Sequence, residues 1–208
     1  MRWAVRGKDA GSARIRSDTG ATEDAASRRP ARPGDTAPDP VTGSSLAEAA
    51  AQADALAQQG DQRALATLRA QWDDELEASA RDRDFRERAI AYRAIGQFRF
   101  RQKTELLRRG LEDDSPACRG SSLVSLELLS RDSPGIVNAV RPLLHTLANA
   151  DPNQAVRRLA LLCLKNGSPQ RDTIVILDGL AEDDEQDREL RDAAKRVAAL
   201  LTKKSRAR

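Results

Sequence analysis

Two thiols, one imidazole and a series of regularly placed arginines and carboxylates are the groups of this chain whose types and spacing bear on chemistry. Cys118 lies in Ser115-Pro-Ala-Cys-Arg119, which puts a thiol in the first turn of an expected helix beside a cation. Both features favour a thiolate nucleophile. The equivalent position of later segments is filled by Val156 and Leu190, which assigns Cys118 to packing instead. His145 is the single histidine, so one chain cannot assemble a serine triad, a multi-histidine zinc site or a paired-histidine iron site. No Gly-rich phosphate loop of the required form is present, and the Asp-rich segments lack the glycine and spacing of a calcium loop. The expectation is a non-enzymatic protein with no catalytic residue, cofactor or metal.

The carboxylates and arginines carry more pattern. Glu112, Asp113, Asp114, Asp151, Asp183 and Asp184 fall in expected turns, where they would collect as an acidic rim for a basic partner or act as helix N-terminal charge. Arg88, Arg119, Arg157 and Arg191 recur early in alternate helices. A guanidinium presents five donors in a rigid fork, suited to bridging inter-helix carbonyls or the Asp of an adjacent turn. These four are expected to form a structural ladder, the alternative being an anion-binding stripe. Arg141, Arg158 and Lys165 are the further cations placed for phosphate contact.

The elements that must position these groups announce themselves by punctuation. Ser115-Pro116, Ser133-Pro134, Asp151-Pro152 and Ser168-Pro169 recur at intervals of 18, 18 and 17 residues. Each pairs an N-cap residue with a proline suited to the first helical position, and a unit of two such helices is about 35 residues, a solenoid-like period. Earlier, Ser45-Leu-Ala-Glu48 has the form of a capping box and Gly60 that of a helix stop, which predicts a terminal capping helix over 44–60.

Four helical pairs follow, over 62–98, 99–130, 133–166 and 168–203. Apolar stripes run through Leu65, Leu68, Trp72 and Leu76; through Phe85, Ala89, Tyr92 and Ile95; and through Leu190, Ala194, Val197 and Leu201. The exposed Arg188, Asp192, Lys195 and Lys203 give the last helix the polar outer face of a cap. A frayed basic tail is expected over 204–208.

Composition agrees with an all-α chain. Apolar residues make up 39% of the 208, mostly Ala and Leu, and aromatics only 3%. The net charge of +3 is too small to argue nucleic-acid binding. Residues 1–43, rich in Arg, Ala, Gly, Ser, Asp and Pro, are expected to be a disordered tail. Their first seventeen residues share the composition of a transit peptide, against which Asp9 and the lack of amphipathicity argue. Two unpaired cysteines, no long apolar run and no secretory leader predict a cytoplasmic protein with no membrane partner.

Aligning Val156-Arg-Arg-Leu-Ala-Leu-Leu-Cys-Leu with Cys118-Arg-Gly-Ser-Ser-Leu-Val-Ser-Leu and Leu190-Arg-Asp-Ala-Ala-Lys-Arg-Val-Ala gives an apolar residue, then Arg, then small or apolar positions. The pattern resembles the HEAT repeat, whose second helix carries a Val-Arg pair and whose preceding turn carries an Asp, here Asp113 and Asp151. The first repeat aligns on Arg88, with Arg86 as an alternative register, and Pro142 resembles the proline that bends many first helices.

The resemblance covers about residues 62–203 and implies a right-handed α-solenoid of about four HEAT-like hairpins. Its implied function is a protein–protein interaction adaptor or scaffold. The alternatives are a nucleic-acid-binding HEAT-like protein, for which aromatic stacking platforms are scarce, and a bilin-lyase-like HEAT protein, whose repeats resemble this pattern especially near Arg88 to Gly96.

Overall fold

The computed structural model describes residues 45–207, and every regular element among them is helical. The disordered tail expected over 1–43 lies outside those residues. Ser45 and Glu48 close both bonds of the capping box, and Leu46–Gln59 follows as α1 until Gly60 turns into the left-handed region at φ 77°. The chain then alternates direction through α2 (Gln62–Ser79), α3 (Phe85–Gln97), α4 (Thr104–Leu111), α5 (Pro116–Ser130), α6 (Pro134–Ala150), α7 (Gln154–Asn166), α8 (Arg171–Glu182) and α9 (Arg188–Arg206).

Packing follows one pattern. Successive helices pair as α2 with α3, α4 with α5, α6 with α7 and α8 with α9, while α3, α5, α7 and α9 also pack each on the next. The helix α1 lies against α2 and α3 at the start of that row. The first helices touch one another far less, α4 on α6 and α6 on α8 only lightly. The core is accordingly a continuous band of Leu, Ala and Ile side chains, with Leu65, Leu76, Ile95, Leu107, Leu123, Leu144, Leu161 and Leu177 fully buried.

Two glycines set the closest approaches. A Cβ at Gly96 would stand 2.6 Å from Ser125 Oγ and 2.7 Å from Ser125 Cα, so α3 and α5 meet nearly backbone to backbone. The Ser125 hydroxyl accepts from Gly96 N at 3.1 Å and donates to the Tyr92 carbonyl at 2.6 Å, satisfying polar groups at that contact. Gly110 likewise lets α4 approach Ser122 and the Tyr92 ring.

The punctuation is only half as uniform as the spacing implies. Pro116 and Pro134 do open α5 and α6, yet neither Ser115 nor Ser133 makes a side-chain cap. The Asp151 carboxylate is turned toward Arg119, and Asn153 caps α7 in its place by accepting from Ala155 N and Val156 N. The Ser168 hydroxyl accepts from Asn138 instead, and α8 begins at Arg171 behind an uncapped Gln170.

The first helix of the pair expected over 99–130 starts only at Thr104. The end of α3 closes with Arg99 N on the Gly96 carbonyl and Phe100 N on the Ile95 carbonyl, leaving Arg99 in the left-handed region at φ 57°. A 3-10 turn over Arg101–Lys103 leads from that closure into α4. Phe85, expected on a buried stripe, is 42% exposed because it occupies the first position of α3, before the helix enters the core. At the other end α9 continues to Arg206, so residues 204–206 of the expected basic tail are helical.

Candidate functional site

The turns α2–α3, α4–α5, α6–α7 and α8–α9 lie at one end of the helices and share a construction. Asp82, Asp113, Asp151 and Asp183 each accept, through Oδ1, the backbone N–H two residues on, at 2.7, 2.9, 2.8 and 3.1 Å. This Asx turn fixes the carboxylate relative to the helix that follows. Arg88, Arg119 and Arg157 stand six residues after the first three of these aspartates.

Two junctions are closed by a forked ion pair. Arg88 donates Nε and Nη2 to Asp113 at 2.7 and 2.8 Å, and Nη1 to the Asp82 and Arg83 carbonyls at 3.0 Å each. Arg119 repeats this one unit later, reaching Asp151 at 2.7 and 3.0 Å and the Asp113 and Asp114 carbonyls at 2.9 and 3.0 Å. Each guanidinium thus clamps its own turn and the next one, using the bidentate geometry that makes Arg–carboxylate pairs strong. The Asp151 side chain is 2% exposed and that of Asp113 8%. Arg88, followed by the N–H of Ser115, holds the Asp113 carboxyl below the usual carboxylate range against the opposing effect of burial.

The third junction differs. Arg157 is buried but donates Nε to the Ala148 carbonyl of α6 at 3.0 Å, and its Nη2 has no partner. Asp183 spends its second oxygen on Gln186 Nε2 at 2.6 Å. The connecting turn is two residues longer, since Asp183 precedes Arg191 by eight positions rather than six, and Arg191 Nε is buried without a partner. Arg158 instead pairs with Glu189, with Asp187 4.0 Å away.

These contacts change the standing of two expected surfaces. The six carboxylates do not act as one rim, because Asp113 and Asp151 are internal partners of arginines and Glu112 pairs with Arg108 at 2.9 Å. Asp114 and Asp184 remain exposed. Of the three expected phosphate contacts, Arg141 is 5% exposed, and its donors reach the Thr173 hydroxyl, the Ser168 carbonyl and Asn138, while Nε stays unpaired. Arg141 shares the buried face of α6 with Val137, Leu144 and Ala148. Lys165 lies 3.8 Å from Glu127, and Arg158 is already paired.

The remaining chemical candidates are occupied structurally. His145 Nε2 lies 3.0 Å from Thr173 Oγ1; burial, and then the charge of Arg141, hold the imidazole below its usual value against the pull of Asp172. Cys118 donates its thiol to the Phe85 carbonyl and Cys163 to that of Leu123; burial pushes both thiols up, away from the reactive thiolate.

At the opposite end of the helices is a feature that sequence reading missed. Where α3 gives way to the 3-10 turn, the ends of α1 and α5 and the face of α2 leave a cavity of about 610 Å³. Arg69, Arg99, Arg101 and Arg131 line it, with Asp132 the one carboxylate on its wall. Arg69 donates Nε to the Phe98 carbonyl at 2.6 Å and Nη2 to that of Arg99 at 3.3 Å. Arg99 donates to the Gly96 and Gln97 carbonyls and pairs with Asp54 at 2.9 Å.

Beneath them the buried Phe100 ring lies between Arg69 and Lys103, 5.9 and 5.4 Å from its centroid. Burial, then the charges of Arg99 and Arg101, push the Arg69 guanidinium below its usual value. The available signal was Phe98-Arg-Phe-Arg-Gln-Lys103, a run of cations at the boundary between the pairs expected over 62–98 and 99–130. No helix among the described residues is long and apolar enough to cross a membrane, and no group of three or more His, Cys, Asp or Glu there is placed to hold a metal ion. No protein-family model matches the chain, and no curated protein matches it either.

Proposed function

We propose that residues 62–203 form a HEAT-like α-solenoid, capped by α1, that works as a non-enzymatic adaptor by binding another protein in the cytoplasm. The observation that carries this reading is the row in which α3, α5, α7 and α9 pack each on the next, with α3 and α5 tied at their starts to the following turn and α7 paired with the start of α9. Such a row repeats one unit, so surface grows with length while the core stays local. The groups that would otherwise suggest chemistry, Cys118, Cys163 and His145, are engaged in packing and hydrogen bonds.

The nucleic-acid reading has less support, since Arg141 is buried and Arg158 and Lys165 face carboxylates. The test is photo-crosslinking from exposed positions at both helix ends, followed by calorimetry with the purified partner. The adaptor reading expects saturable one-to-one binding. Turnover of a substrate by the purified chain, with no protein crosslinked, would overturn it.

A further inference from the structure

We propose that the arginine-lined cavity at the α3–α4 corner is the docking site for an acidic peptide segment of a partner protein, its carboxylates seated between Arg69 and Arg101. This rests on the adaptor reading and names the chemistry of its partner. Arg69 and Arg99 are held by backbone carbonyls, which fix the guanidiniums in place without neutralising them. Asp54 and Glu127 answer Arg99 and Arg131. Arg69 and Arg101 have no ion-pair partner among the described residues, and Arg101 is exposed.

The site is therefore cationic before a ligand arrives, and the guanidiniums of Arg69 and Arg99 are already held, which reduces the ordering cost of binding.

The choice of an acidic peptide over other anions follows from the walls. Ala57, Leu128 and Leu129 offer apolar contact for the methylenes of Glu, and Gln62 and Gln102 offer amides for a peptide backbone. No aromatic ring lines the cavity, so nucleic-acid bases would find no stacking partner. The Arg101 guanidinium offers paired N–H donors that match a carboxylate in the plane of the fork, and Arg69, whose Nε and Nη2 are held by carbonyls, offers Nη1 beside it.

The experiment is fluorescence anisotropy on the full chain with a labelled Glu/Ala peptide, a Lys/Ala peptide and a single-stranded oligonucleotide, across a salt series. The expected result is salt-sensitive binding of the acidic peptide alone. Arg101→Glu should weaken it roughly tenfold, as reversal of a charge at a contact does. Gln102→Glu should weaken it and Asp132→Asn strengthen it. Arg83→Glu makes the same charge change at the other helix end and should leave binding unaltered, which separates site from net charge.

Each variant is carried forward after its thermal melt matches the parent. Absence of acidic-peptide binding at low salt, equal loss with Arg83→Glu, or tighter binding of the oligonucleotide would overturn the inference. If the acidic peptide fails while a purified partner still binds the full chain, this inference falls and the adaptor reading stands. Turnover with no protein partner removes both.

Discussion

The junctions α3–α5 and α5–α7 are each locked by a forked Arg–Asp pair, whereas the α7–α9 junction, built from the same residue types, is not. Arg119 and Asp151 meet at 2.7 Å; Arg157 and Asp183 do not meet at all. The difference lies in the turn. With six residues from aspartate to arginine, the Asx turn aims the carboxylate back at the preceding unit. With eight, Asp183 is engaged by Gln186 and Arg157 retreats to a carbonyl of its own hairpin. Residue identity is thus insufficient to close such a pair; the loop length must also present the carboxylate.

The largest effect should come from breaking a closed junction. Asp151→Ala leaves the Arg119 fork facing an apolar gap, and chemical denaturation should show a loss of about 3–5 kcal/mol, the scale for stranding one member of a buried pair. Gly96→Ala should cost about 1–3 kcal/mol by overpacking, because the added methyl meets the backbone of Ser125 and α3 must move off α5. Gly120→Ala sharpens the contrast. Its methyl would stand 3.7 Å from Leu159, in ordinary contact, so the same measurement should show neutrality or a gain of about 0.5–1 kcal/mol from helix propensity.

At the open junction the effects should be smaller. Arg157→Ala removes one carbonyl bond from a side chain that already carries an unpaired nitrogen, and a loss of about 1 kcal/mol is expected. A melting series would contradict the comparison if Arg157→Ala cost as much as Asp151→Ala.

The pH dependence is smaller still and its sign follows from direction. The folded Asp113 carboxyl is depressed, so its stabilisation is complete above about pH 4, the ordinary range for Asp, and fades as pH falls through the folded value. His145 is also depressed in the fold. Its contribution is present above about pH 6.5 and declines as pH drops below that. Melting temperature should therefore show a shallow decline below about pH 6.5 that His145→Gln removes, then a steeper acid limb that Asp113→Asn flattens.

Helix number and order were legible from spacing. Capping boxes, Gly60 and apolar stripes follow local rules, and α1, α2, α7 and α9 lie within a few residues of where those rules put them. The forked pairs were legible in part, because Asp82-to-Arg88, Asp113-to-Arg119 and Asp151-to-Arg157 share one spacing. That spacing selects Arg88 over Arg86, which stacks on Phe85 instead.

Burial of Arg141 was legible only in part: it stands four residues after Val137 and three before Leu144, on the apolar face of α6, but the Thr173 and Ser168 groups that take its donors come together only when α8 packs on α6. The cavity was not legible. It depends on Arg99 entering the left-handed region, a conformation for which a sequence reader expects Gly, and on three helix ends distant in sequence converging around it.

The claim that stacked hairpins are tied by turn-borne carboxylates is tested most directly by two double-mutant cycles in one denaturation series. One pairs Arg119→Ala with Asp151→Ala, the other Arg157→Ala with Asp183→Ala. The account predicts a coupling energy of about 1–3 kcal/mol for the first pair and near zero for the second. Equal coupling in both, or none between Arg119 and Asp151, would contradict it.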